Sequence, residues 1–259
     1  MRTAQIFRLS MAHPGDLSEL DRLIAGGTVR AAEVVAIIGK TEGNGGVNDF
    51  TRGYFTQTLM ALLAKHLNKP AEQLIREIPC VLSGGTEGVM SPHYSVFCAG
   101  EGEPSPGAGP SLAIGTAFSA PVPAENVGRR AHIDSVANAV RAAIANAGIE
   151  RLDDVHFVQV KCPCVTVARA SAAIAAGKMP LTNDPNKSMA FARAAGAFGV
   201  AVALDELMDA GFDDGSLLSD FSIQSPRASI SSGVEVECNE VVVLGNSARS
   251  VCSASPIAR

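Results

Sequence analysis

Two stretches of this 259-residue sequence share one pattern: "VLSGGTEGVMSP" at residues 81–92 and "SISSGVEVECNEVVVLG" at residues 229–245. Each contains Ser-x-Gly-x-Glu, beginning at Ser83 in the first and at Ser231 in the second. Apolar residues before each serine predict a buried strand, and the small residues after it leave the backbone open to close approach. The pattern therefore predicts that one structural unit occurs twice in the chain.

The sequence around each stretch repeats the same order of elements: strand, helix, strand ending in Lys, helix and strand ending in Ser. In the first half, the strand "EVVAIIGK" ends at Lys40 and a helix follows at 51–67, with Asp49 as its expected N-cap. In the second half, "DVHFVQVK" ends at Lys161, and a helix follows with Asp184 as N-cap and Pro185 at its first position. An α/β fold of two pseudo-symmetric repeats is predicted.

The boundaries of the two units are set by composition. Residues 99–110 are rich in Gly and Pro and are typical of a linker. We therefore predict a first repeat unit at 1–98, a second at 111–247, and a C-terminal tail at 248–259.

Composition excludes several classes of partner. Apolar residues make up 47% of the chain and charged residues 18%, the net charge is −5, and Trp is absent. A phosphate-binding surface or an aromatic platform for nucleic acid is not expected. The N-terminus does not resemble a secretory signal, and the longest apolar helical run is too short to cross a bilayer, so a cytoplasmic protein without a membrane partner is predicted.

Six cysteines are spread through apolar sequence without the density of a disulfide scaffold. The Cys-x-Cys pair at Cys162 and Cys164 has no second matching pair, which is weak support for a zinc site. Ordinary reduced thiols are predicted.

Two arginines recur with the repeat. Arg193 is the only charged residue between Ser188 and Leu204, in a helix that is apolar almost all round, so a buried guanidinium is expected. Its acceptor is either a carboxylate of the chain or a ligand. Arg52 lies in the first turn of its helix, where a cation is disfavoured; alone it favours a surface position, and its recurrence favours a ligand.

Lysine and serine recur in the same way. Desolvation of Lys40 or Lys161 would lower the lysine pKa, and a neutral lysine can take a proton from a serine hydroxyl. A strand-end lysine that reaches solvent is the alternative. Ser83 and Ser231 would then be nucleophiles or carbonyl-binding groups beside backbone N–H donors, whereas a plain glycine turn is the alternative.

The segments "GKTEGNGGVNDFTR", "LSGGTEGVMSPH" and "HFVQVKCP", with the second Ser-x-Gly-x-Glu, resemble the cyanuric acid hydrolase and barbiturase family of cyclic-imide amidohydrolases. The resemblance covers nearly the whole chain. It implies three repeats around a pseudo-threefold axis, each giving a Lys, an Arg and a Ser to a ring-shaped substrate bound at the centre.

The resemblance also implies individual roles. Ser231 is expected as the nucleophile and Lys161 as its base, although Ser83 stays open as the attacking residue. The implied substrate-binding residues are Lys40, Arg52, Ser83, Gly84, Arg193 and Ser232. The implied reaction opens cyanuric acid to carboxybiuret, which loses carbon dioxide to give biuret; barbituric acid is the alternative substrate.

The sequence departs from the family pattern after "VVVLGNS", and we expect the tail to replace the third repeat. The structural metal site of the family lies in that repeat, so no metal or other cofactor is expected for the chemistry. Three outcomes follow: a truncated hydrolase with little activity, a homo-oligomer that completes the ring, or a non-catalytic remnant that binds cyclic imides. A homo-oligomer is the expected assembly.

Overall fold

The computed structural model describes residues 1–86, 90–103, 110–207 and 213–251. Most of the predicted linker, at 104–109, and most of the predicted tail, at 252–259, lie outside the described residues.

The first half of the chain forms four strands and three helices. In chain order these are β1 (Arg2–Ser10), α1 (Ser18–Ala25), β2 (Val34–Lys40), α2 (Thr51–Leu67), α3 (Ala71–Leu74), β3 (Cys80–Ser83) and β4 (His93–Glu101).

The second half repeats this order and ends in one more short strand. Its elements are β5 (Ser111–Pro121), α4 (Arg130–Ala147), β6 (Val155–Pro163), α5 (Val167–Ala175), α6 (Pro185–Ala203), β7 (Ala228–Gly233), β8 (Cys238–Ser247) and β9 (Ser250–Val251). Single turns of 3₁₀ helix occur at Ala31–Glu33, Leu152–Asp154 and Asp214–Ser216.

The two halves build two sheets with the same strand order. The first sheet runs β3-β2-β4-β1-β9 and the second runs β7-β6-β8-β5. The pairs β2–β3 and β6–β7 are parallel, whereas β4 and β8 return antiparallel between their neighbours. This is the predicted α/β fold with a repeated unit, and each unit has one more strand, β4 or β8, than the sequence pattern indicated.

The sheets face each other across a small apolar core. Its buried members come from both halves: Ala36, Val81, Phe97, Ile114 and Val242. The opposite face of each sheet is covered by the helices of its own half, with separate larger cores. Because side chains alternate along a strand, every second residue of β2, β3, β6 and β7 lies between the sheets.

The ends of the two long central helices follow from capping chemistry. The Asp184 side chain accepts the amides of Asn186 and Lys187, and Pro185 opens α6, as predicted. The expected N-cap of α2 is wrong by one residue, because Phe50 holds that position. Asp49 accepts the Thr51 amide and contacts a guanidinium instead.

Within the described ranges, every helix is too short or too polar to cross a bilayer. The five cysteines that the structure describes are all free thiols, and four of them are buried.

Candidate active site

Lysine and serine are paired by strand register in both halves. Lys40 lies opposite Ser83 in the parallel pair β2–β3, and Lys161 lies opposite Ser231 in β6–β7. Residues in register on neighbouring strands point to the same face of a sheet. Both pairs therefore lie on the faces that the two sheets turn toward each other.

Lys161 is buried, with 1% of its surface exposed. Its Nζ lies 2.7 Å from Glu235 Oε1 and donates to the Leu82 carbonyl, also at 2.7 Å. Desolvation lowers the pKa of Lys161, and the opposing effect of the Glu235 charge does not cancel it. Two of the three hydrogen-bonding directions of Nζ are thus occupied by described groups.

Glu235 joins this lysine to Arg52 of the first half. Arg52 Nε donates to Glu235 Oε1 at 2.7 Å and its Nη2 to Oε2 at 3.3 Å. On its other side Arg52 Nη1 donates to Asp49 Oδ2 at 3.2 Å, and the guanidinium is buried. Burial raises the pKa of Glu235, but the charges of Lys161 and Arg52 outweigh it and leave that pKa lowered.

Ser231 supplies an unsatisfied hydroxyl. Its Oγ is buried and has no hydrogen-bond partner within the described residues, so the hydrogen bond to Lys161 is not formed in this structure. A buried hydroxyl without a partner is costly, so its position needs an explanation, and a catalytic role is one of those available. Thr86 Oγ1 and Tyr94 Oη are the other buried hydroxyls of the described residues without a partner.

The equivalent pair in the first half is more open. Lys40 and Ser83 are half-buried, and Lys40 Nζ donates to the Gly84 carbonyl at 3.0 Å. Gly84 packs against the Asp49 carboxylate so closely that a Cβ at this position would overlap it. The glycine is therefore required by the packing around Arg52.

The side chain of Ser232 turns away from the inter-sheet face. It is buried, and its Oγ donates to the Met189 carbonyl of α6 at 2.9 Å. Only the backbone of Ser232 is in a position to act beside Ser231.

Arg193 departs from expectation. The sequence predicted a buried guanidinium, but Arg193 is exposed, and none of the described groups pairs with it. It lines a cavity of about 340 Å³ with Leu218, Phe221 and Ile230, on the helix side of the edge strand β7. Arg52 is the second residue of α2 whereas Arg193 is the ninth of α6, so the two arginines are not equivalently placed on their helices.

Two carboxylates of this site were not assigned by sequence reasoning. Glu235 belongs to the Ser-x-Gly-x-Glu pattern, which was the available signal, and Asp49 had been interpreted only as a cap. Glu87, the first-half counterpart of Glu235, lies outside the described residues. Within the described ranges, no group of three or more His, Cys, Asp or Glu side chains lies close enough together to hold a metal ion.

Comparison with known proteins shows which family the chain belongs to. The family model described as "amidohydrolase ring-opening protein" matches residues 5–255. The chain is 44% identical over 243 residues to a cyanuric acid amidohydrolase of Pseudomonas sp. (strain ADP), covering 93% of this chain and 67% of the relative. It is 47% identical over 247 residues to a cyanuric acid amidohydrolase of Azorhizobium caulinodans, covering 95% and 68%.

A further relative and two solved structures are similar to this chain over nearly its whole length. A cyclic amide hydrolase of A. caulinodans is 43% identical over 241 residues, covering 93% of this chain and 66% of the relative. A solved cyanuric acid hydrolase superposes with a TM-score of 0.94 at 43% identity, covering 97% of this chain and 70% of that one. The A. caulinodans cyanuric acid hydrolase structure gives 0.90 at 45% identity, covering 97% and 69%. This chain, which spans about two thirds of the length of these relatives, belongs to the family of ring-opening amidohydrolases and is a cyclic amide hydrolase.

Proposed function

We propose that this chain takes part in the hydrolytic ring opening of cyanuric acid, with Ser231 as nucleophile and Lys161 as general base. The observation that carries the proposal is the register of β6 and β7, which sets a buried, desolvated lysine directly opposite a serine. The buried hydroxyl of that serine has no hydrogen-bond partner among the described residues. Relatives named cyanuric acid amidohydrolase support the choice of substrate.

In the first step, Ser231 Oγ attacks a ring carbonyl carbon and gives its proton to Lys161 Nζ. The tetrahedral intermediate collapses when the ring C–N bond breaks, and the departing nitrogen takes the proton from Lys161. Glu235 and the Leu82 carbonyl hold Nζ on two sides, so that its remaining position faces the reaction. Backbone N–H groups beside Ser231 are the proposed oxyanion donors.

In the second step, water attacks the acyl-enzyme. The water oxygen bonds to the carbonyl carbon, the bond from carbon to Ser231 Oγ breaks, and the proton of the water returns to Oγ through Lys161. The product is carboxybiuret, which loses carbon dioxide to give biuret.

The first half supplies binding groups in this proposal. Cyanuric acid has three equivalent carbonyls and three equivalent N–H groups, and a pair such as Lys40 and Ser83 repeats the chemistry of Lys161 and Ser231. The Lys40 and Ser83 set can hold one edge of the ring, while the carbonyl of an equivalent edge is presented to Ser231 for attack. Arg52 belongs to this binding set, held in place by Asp49 and Glu235.

The direct experiment is an assay of the purified chain on cyanuric acid and barbituric acid, with the Lys161→Met variant beside the wild type. We expect ring opening of cyanuric acid by the wild type, and loss of turnover with retained binding in the variant. Faster turnover of barbituric acid would move the assignment to that substrate. Folded wild-type protein that binds both rings and turns over neither would support a binding remnant and overturn the proposal.

A further inference from the structure

Glu240 is a buried carboxylate at the junction of the two sheets. It lies on β8 directly opposite Lys161 of β6, and 7% of its surface is exposed. Its Oε2 accepts the backbone amide of Cys80 in β3, at 2.8 Å and across 160 residues of sequence.

β3 is the edge strand of the first sheet, with β2 as its only partner among the described strands. The carbonyls of Pro79 and Ser83 face β2, since they accept amides from Ile37 and Thr41. Cys80 and Leu82 alternate with them and present their backbone groups to the open edge. An edge of this kind needs partners for its N–H and C=O groups.

Two side chains of the second sheet supply those partners. Glu240 takes the amide of Cys80, and Lys161 takes the carbonyl of Leu82. We refer to Glu240 and Lys161 as the β3 clamp. Ser83 and Gly84 follow immediately after the clamped residues, so the clamp fixes the first-half binding groups relative to the second-half lysine.

We propose that Glu240 is a positioning residue: by holding the Cys80 amide it keeps β3 in place, so that the Leu82 carbonyl orients Lys161 for its reaction with Ser231. The effect on catalysis rests on the proposed function above, whereas the effect on β3 does not.

The described residues of the first half show no counterpart of the β3 clamp. The residue opposite Lys40 is His93 on β4, where the second half has Glu240 opposite Lys161. The ring of His93 contacts the nearby Ser91 carbonyl at 2.8 Å and does not reach across to another strand edge. The difference favours Lys161, rather than Lys40, as the lysine whose position is fixed for chemistry.

The test compares Glu240→Ala with Glu240→Gln, and uses Glu237→Gln as the matched control at an exposed carboxylate close by on the chain. Amide hydrogen exchange at Cys80, followed by NMR, reports on the clamp, and kcat and KM for cyanuric acid report on catalysis. In Glu240→Ala we expect Cys80 exchange to accelerate at least about tenfold and kcat to fall by about as much, with little change in KM. Glu240→Gln should stay near the wild type in both measurements, because its amide oxygen accepts the same N–H.

Several results would overturn the proposal. In Glu240→Ala, these are an exchange rate at Cys80 equal to that of the wild type, or faster exchange with unchanged kcat. In Glu240→Gln, it is a Cys80 amide that stays protected while activity is lost. If Glu240→Ala does not fold, Glu240→Met replaces it, since Met fills similar space but does not offer the Cys80 amide a carboxylate or amide oxygen, and the same outcomes decide. A wild-type chain that opens no ring refutes the proposed function alone, and the exchange measurement still tests the clamp.

Discussion

Arg52 and Glu235 form an ion pair, 2.7 Å from Nε to Oε1, that links α2 of the first half to the turn after β7 in the second. The pair spans 183 residues of sequence, and Glu235 holds Lys161 with the same oxygen. The stability of the junction between the two halves and the position of the proposed general base therefore depend on one carboxylate.

Replacing that carboxylate should destabilise the fold. In Glu235→Gln the buried Arg52 loses one of its two counter-charges, and removing one partner of a buried ion pair typically costs about 3–5 kcal/mol. We expect the free energy of unfolding, measured in urea, to fall by about that amount. The control Glu237→Gln, at an exposed carboxylate, should stay within about 0.5 kcal/mol of the wild type. Equal urea midpoints for the two variants would contradict a structural role for Glu235.

The two serines should separate in steady-state kinetics. Ser231→Ala removes the proposed nucleophile and should lower kcat by about a thousandfold or more, with KM nearly unchanged. Ser83→Ala removes a binding group and should mainly raise KM, by about tenfold. The measurement is cyanuric acid turnover over a range of substrate concentrations. The opposite assignment, with Ser83 attacking, predicts the reverse pattern.

Glu240 should make stability depend on pH. Burial raises the pKa of Glu240 to about 7, against lowering contributions from the Cys80 amide and Lys161, and Glu235 adds to the rise. Between its unfolded value of 4.5 and about 7, the folded chain keeps a proton that the unfolded chain has released, so raising the pH costs stability. Glu240→Gln lacks this titration.

The stability of Glu240→Gln relative to the wild type should therefore rise as the pH increases from 4.5 to above 7, by on the order of 3 kcal/mol. Chemical denaturation at a series of pH values measures the difference. The acidic groups remote from Glu240 titrate in both proteins and cancel. A difference that is flat over this range would show that the Glu240 carboxyl is not perturbed.

Gly84 is expected to be intolerant of a side chain. A Cβ at this position overlaps the Asp49 carboxylate, which would have to leave Arg52. Gly84→Ala should therefore weaken substrate binding and lower the melting temperature. Gly53→Ala is the matched control, since nothing lies within 4 Å of its added Cβ on α2, and it should stabilise the helix by up to about 1 kcal/mol. Similar melting temperatures for both variants would argue against this packing constraint.

Much of this architecture follows from local pattern. Helical spacing and flanking residues gave the bounds of α2, and the cap at Asp184 with Pro185 gave the start of α6. The predicted strand ends are right at Lys40 and Ser83, whereas β6 and β7 each continue for two residues past Lys161 and Ser231. The register that sets each lysine opposite its serine is a finding of the structure and was not predicted. The predicted features depend on residues that are close together in the sequence, so they can be predicted from one sequence.

The prediction of a buried Arg193 was wrong, for a physical reason, and the burial of Arg52 had been indicated only by its recurrence in the repeat. The apolar composition of α6 suggested a buried Arg193, but composition does not tell which side of a helix meets the uncovered edge of β7. Arg52 is buried because Glu235 pairs with it, and that partner lies in the other half of the chain. The contact of Glu240 was not predicted for the same reason, because its partner is the backbone of a strand that is distant in sequence.

The matching strand order of the two sheets suggests how the two copies of a repeated structural unit can come to differ in function. When one scaffold carries the same lysine and serine twice, one copy can retain recognition while the other accumulates the groups that reactivity needs. The residue facing the lysine differs between the copies, His93 in one and Glu240 in the other. Exchanging these two residues tests whether the roles proposed for Lys40 and Lys161 can be exchanged as well.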